Sequence, residues 1–270
     1  MEFRRLAGCS LLGLALVASS HAAAAQSGEP KVRWGIGNPK VGFCLHFLMD
    51  PEAAAKNLVP GQRLVLAREA TGVPDALRRV LTDQPEFEAW VPSQLCVIYP
   101  EAIWVNNKRF DEGDGGAHLA LAIWGVSAVG GEGSISIRTL ASNSAPLKRA
   151  MEADLIPMQR VDLAVGPITE SENERYVFKL EGAVITLDGH ARTDSINVEN
   201  VPFPKGAVLR GLNNTRWSVI LDLKPTRIGT LPGALRVQGK HGLGGALLDS
   251  PIRFVDQIFA GGTGEITFTR

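Results

Sequence analysis

Beyond residue 25 this chain of 270 residues carries four histidines, His46, His118, His190 and His241, and no two lie within 50 positions of each other. A locally built zinc site needs spacing such as H-x-x-x-H, which puts two imidazoles on one helix face, so local sequence offers no such pair. Carboxylates come closer together. Asp111, Glu112 and Asp114 share a Gly-rich turn, and Asp111 with Asp114 is a Ca²⁺ candidate. The spacing is not the Asp-x-Asp-x-Asp-Gly of an EF-hand loop, and a solvated turn is the preferred reading. No metal or other cofactor is expected. Glu172, Glu174 and Glu181 could include the two carboxyls of a glycosidase, which must stand roughly 5–10 Å apart. Ser171-Glu172-Asn173-Glu174 reads instead as a solvated turn.

The nucleophile spellings fail on one position each. Gly125-Val126-Ser127-Ala128-Val129 has Val129 where the nucleophile elbow needs its second glycine, because that turn is too tight for side chains. Ser127 is therefore expected to be a strand residue. Ser144 and Lys148 are one residue too far apart for S-x-x-K, and Pro146 interrupts the first turn that would face them. Gly35-Ile36-Gly37 and Gly242-Leu243-Gly244-Gly245 lack the third glycine and the strand–helix setting of a dinucleotide site, and read as turns. No catalytic residue is assigned. Trp90, Trp104, Trp124 and Trp217 lie in or beside apolar segments and read as core, with an exposed platform for a sugar or protein as the rival. Asn213-Asn214-Thr215 matches the glycosylation pattern.

Cys9 aside, the chain has two cysteines, Cys44 and Cys96. In an oxidising compartment an even pair reads as one disulfide. That compartment is itself an inference. Arg4 and Arg5, the apolar run Leu11 to Val17 and the small residues Ala22 to Ala25 spell a cleavable export signal ending between Ala25 and Gln26. Leu6-Ala7-Gly8-Cys9 looks like a lipobox, but its cysteine precedes the apolar run instead of following it. Arg4-Arg5 leaves general secretory and twin-arginine export both open. A periplasmic or secreted protein is expected.

Loss of Arg4, Arg5 and Glu2 from 28 basic and 28 acidic residues leaves the remaining chain at −1. Without a basic stripe, nucleic acid is excluded as an expected partner. The longest uncharged apolar stretch, Leu119 to Val129, is too short for a helix to cross a bilayer, which takes about 20 residues.

These side chains sit on a chain that reads as mainly β. Gln26 to Asn38 is polar and Gly-rich, an exposed leader that Trp34 could dock. Val41 to Met49 is a continuous apolar run. Asp50-Pro51 offers an N-cap and a first-turn proline for a short helix. Val73, Leu77, Val80 and Leu81 share one helical face. Strands follow at Leu95–Tyr99, Ala102–Val105, His118–Val129 and Ser134–Leu140, the last alternating Ile135 and Ile137 with Ser134, Ser136 and Arg138. Residues 147–155 suit another short helix. Further strands are expected at Tyr176–Leu180, Ala183–Leu187, Trp217–Leu223, Leu235–Gln238, Ile252–Phe259 and Glu265–Thr269.

The expected fold is an antiparallel sandwich or barrel-like set of sheets with two or three short helices in the N-terminal half. Regions 26–140 and 157–270, linked by 141–156, form two β-rich parts or one elaborated domain. The expected function is a non-catalytic exported module that binds a protein, an envelope component or a small apolar ligand. The alternatives are an exported hydrolase with a dispersed active site, His118 or His190 being its first suspects, and an apolar small-molecule carrier.

Overall fold

The computed structural model describes residues 32–37, 41–56, 58–70, 75–111, 119–130, 134–161, 164–165, 175–180, 183–188, 205–224, 227–229, 235–239, 252–260 and 263–270. The chain begins with strand β1 (Arg33–Gly37) and strand β2 (Val41–Met49), then helix α1 (Pro51–Ala55) and β3 (Arg63–Leu64). Helix α2 (Asp75–Asp83) precedes β4 (Val91–Tyr99), β5 (Ala102–Val105), β6 (Lys108–Arg109), β7 (Leu121–Val129) and β8 (Ile135–Ser142). Helix α3 (Ala145–Ala153) leads to β9 (Gln159–Arg160), β10 (Ala164–Val165), β11 (Arg175–Leu180) and β12 (Ala183–Asp188). The remainder is β13 (Gly206–Arg210), β14 (Arg216–Lys224), β15 (Arg227–Gly229), β16 (Leu235–Gly239), β17 (Ile252–Ala260) and β18 (Thr263–Thr269).

The protein is mainly β, with three short helices. A 14-stranded sheet runs β15-β17-β2-β4-β7-β8-β13-β14-β18-β1-β5-β6, with β3 added on β7 and β9 on β8, while β10-β11-β12-β16 form a second sheet of 4 strands. Strands from both sides of residues 141–156 thus share the large sheet. That sheet is mixed, because β13 and β9 each pair with β8 in parallel. The β8–β9 pair follows from α3: two parallel neighbours need a long crossover, and the helix supplies it.

Strand β7 is buried on both faces. Ala122, Trp124 and Val126 pack with Leu45, Phe47, Met49, Leu95 and Val97 on one side. Leu121 and Ile123 pack on the other with residues of β1, β14 and β18, among them Trp34, Trp217 and Phe268. Burial on two faces explains why the segment reads as one apolar run instead of an alternation. Helix α2 closes a third cluster by laying Ala76, Leu77 and Val80 on Leu48 and Val255 of β2 and β17.

Two sequence expectations change. The supposed leader contains β1, which sits between β18 and β5 with Trp34 and Ile36 in the core. Its other positions, Gly35 and Gly37, hid the alternation. Pro146 does not break α3. It occupies the first turn, where its missing N–H would have no partner in any case, and Ser144 Oγ caps that turn by accepting from Leu147 N at 3.1 Å.

Candidate functional site

Along β7 and β8, the register pairs Trp124 with Thr139 and Gly125 with Ile137. Arg138 is therefore the extra residue of a β-bulge. Bulges re-aim side chains and are common beside active sites. Here the bulge turns a charged side chain into the space between β7, β8 and α1. The guanidinium lies over the Trp124 indole, 4.6 Å from the ring centroid. Its Nη1 donates to Ala53 O of α1 at 2.7 Å and touches Met49 Sδ at 3.8 Å. Burial lowers its pKa from the ordinary arginine value, yet an arginine remains charged inside a protein.

Each contact has a local cause. Asp50 Oδ1 accepts from Glu52 N at 2.9 Å and Ala53 N at 3.1 Å, and this cap starts α1 and fixes the Ala53 carbonyl. Gly125, opposite the bulge, has no room for a side chain, since a Cβ there would meet Ile135 Cγ2 at 2.5 Å. Ser136 pairs with Val126 and so shares the face of Trp124 and Arg138. Ser136 Oγ, Trp124 Nε1 and Arg138 Nε are buried and have no hydrogen-bond partner among the described residues. Three buried polar atoms without partners among the described residues thus share one face of the sheet with a charged fork. An arginine in such a place suits a carboxylate, which it can bind through two parallel N–H···O bonds.

The sequence candidates fall elsewhere. Ser127 pairs with Ile135 inside β7, as a strand residue. Ser144 serves as the cap of α3, and Lys148 Nζ is ion-paired with Glu152 at 2.5 Å, so the two do not meet. Imine chemistry requires a neutral lysine, made so by burial or a cationic neighbour. Of the lysines whose side chains are described, Lys56, Lys108, Lys205 and Lys224 are exposed and Lys148 is half-buried. His46 sits in β2 opposite Gln94 and Val255, and burial pushes it down to about 4. Cys44 and Cys96, directly opposed on β2 and β4, are joined by a disulfide with Cα atoms 3.9 Å apart. Asp111 is exposed. No group of three metal-binding side chains occurs among the described residues. Trp124 and Trp217 are core, whereas Trp90 and Trp104 are half-buried on separate elements, so the tryptophans do not form one platform. His118, His190, His241, Asp114, Glu172, Glu174, Glu181, Gly242–Gly245, Ala25 and Gln26 lie outside the described residues.

No family description and no curated protein matches the sequence. Solved structures do. An acetoacetate decarboxylase from Legionella pneumophila aligns over 98% of this chain and 96% of its own, at TM-score 0.52 and 13% identity. The chain shares its fold with acetoacetate decarboxylases. A second acetoacetate decarboxylase matches at TM-score 0.51 and 12% identity, covering 90% of this chain and 88% of that one. An acetoacetate decarboxylase-like enzyme from Sphingomonas wittichii RW1 matches at 0.50 and 9%, covering 88% and 89%.

These matches correct the expected function. The fold of this chain is one that solved enzymes adopt over nearly their whole length, so the description as a non-catalytic binding protein, envelope-associated module or carrier is withdrawn. Absence of catalytic spellings is weak evidence, because side chains that strand pairing brings together, such as Trp124, Ser136 and Arg138, leave no local motif to read. Neither the described residues nor the matched structures bear on a signal or on secretion. No helix among the described residues is long and apolar enough to cross a membrane.

Proposed function

We propose that this protein is an enzyme acting on a small oxo acid, with Arg138 holding the substrate carboxylate between β7, β8 and α1. The observation that carries this reading is the half-buried guanidinium on the bulge, stacked on Trp124 and only partly engaged by Ala53 O. The shared fold supports it at the level of substrate class, since acetoacetate is an oxo acid, although a fold alone does not fix an activity. Water exclusion by Trp124, Met49 and α1 strengthens the ion pair that Arg138 would make. Trp124 Nε1 and Ser136 Oγ are the donors available to the substrate's carbonyl oxygen, where negative charge develops in reactions at the adjacent carbon.

Incubation of the full chain with acetoacetate and other short 2- and 3-oxo acids, followed by ¹³C NMR, tests this. The expected result is consumption of at least one acid, and the products show whether the carboxylate is lost as CO₂ or retained. Failure to consume any of them contradicts the proposal.

A further inference from the structure

Trp34 and Ile36 of β1 point into the core, so Arg33, Gly35 and Gly37 point the other way. Two glycines leave this outward face bare where β5 lays Trp104 across it. A Cβ on Gly37 would meet Trp104 Cζ3 at 2.4 Å, and one on Gly35 would meet Glu265 Oε1 at 2.6 Å. The indole therefore rests on backbone and stays half-buried. Beside it is a cavity of about 280 Å³ lined by Arg33, Gly35, Trp104, Asn107 and Glu265. It lies on β1, β5, β18 and the β5–β6 turn, none of which contributes to the Arg138 site.

The charges in this cavity cancel. Arg33 Nη2 stands 3.7 Å from Glu265 Oε1, their side chains 46% and 42% exposed. Thr267 Oγ1 lies 3.2 Å from the same carboxylate oxygen. A cationic ligand would be repelled by Arg33 and an anionic one by Glu265, so neither gains a net attraction. What remains is an apolar plate bordered by a fork of donors, a carboxylate acceptor and a carboxamide that both donates and accepts. A neutral ring with C–H groups on one face and hydroxyls around its edge matches that lining. The volume lies just below the usual range of about 300–1,000 Å³ for ligand sites, which suits a single ring. We infer that this cavity binds a neutral sugar ring, its C–H face on the Trp104 indole and its hydroxyls shared among Asn107, Arg33 and Glu265.

Calorimetric titration of the full chain with D-glucose, D-galactose, N-acetylglucosamine, cellobiose and chitobiose tests this. Saturable binding of at least one is expected, weakened at least tenfold in Trp104→Ala and several-fold in Asn107→Gly. Glycine is the right replacement there because Asn107 has φ 64°, a backbone region where alanine would be strained. Oxo-acid turnover should be unchanged in both variants, so this inference and the proposed function stand or fall separately. No saturable binding up to tens of millimolar for every sugar overturns the inference, as does binding that survives both substitutions. If Trp104→Ala fails to fold by circular dichroism, Asn107→Gly alone decides.

Discussion

A guanidinium stacked on an indole and bonded to one helix carbonyl has used only part of its donor capacity. Arg138 is in that state, with Ser136 Oγ and Trp124 Nε1 on the same face. The sequence shows Ser136 and Arg138 as the polar half of a strand alternation, which ordinarily faces water. Both faces of β8 are covered instead, and Ser136 is fully buried. Period-2 patterning reports which residues share a face, but it does not report what covers that face. His46 is a second side chain with a measurable consequence. Burial holds its pKa at about 4, below the ordinary 6.5. Between about pH 6.5 and pH 4 the unfolded chain binds a proton that the folded protein refuses, so folding stability falls as pH falls through that window. The contribution is intact above about pH 6.5 and is worth up to roughly 3 kcal/mol. Urea unfolding midpoints measured across this range should show the slope, and His46→Leu should flatten it. An unaltered slope in His46→Leu would assign the effect to other groups.

At the scale of elements, α1 connects stability to the site. It has only five residues, too few to persist alone, and the Asp50 cap holds its first turn while Arg138 holds the carbonyl of Ala53 at its middle. Asp50→Ala should cost about 1 kcal/mol, a fall in the melting temperature of roughly 2–4 °C for a chain of this size. Binding at Arg138 should weaken as well, because the Ala53 carbonyl loses its fixed position. Melting curves with oxo-acid titration check both, and a lowered melting temperature with unaltered binding would separate the helix from the site. Elements with strong local signals were legible. The apolar run of β2, the cap and proline of α1, the one-sided face of α2 and the alternation of β14 each lie within two residues of expectation. Strand β1 was not legible because glycine occupies its outward positions, and β13 was not because its three apolar residues owe their extended form to β8 and β14. The bulge at Arg138 was equally hidden, since it arises from pairing between strands and leaves no mark within either one.

Across the whole molecule, the large sheet ties distant segments together: β17 from the C-terminal end borders β2, and β18 borders β1. The Cys44–Cys96 bond crosses the adjacent pair β2–β4 and closes a separation of 52 residues. In the chain-entropy model a loop of that length stabilises by about 4 kcal/mol. Reduction, or the double substitution Cys44→Ser with Cys96→Ser, should lower the guanidinium midpoint accordingly. Free Cys44 and Cys96 thiols, labelled in the untreated protein, would show that the bond does not form. The fold class was legible in the spacing of strands and turns, whereas the activity was not, because its candidate groups come from β7, β8 and α1 and meet only after folding. The most direct test of this arrangement is the KM of the full chain for its oxo acid, measured in the wild type, Arg138→Lys and Arg138→Gln. If Arg138 holds the carboxylate, KM rises at least tenfold in Arg138→Gln and less in Arg138→Lys, which keeps the charge but loses the planar fork. An Arg138→Gln protein that folds and turns over its substrate with an unaltered KM would contradict it.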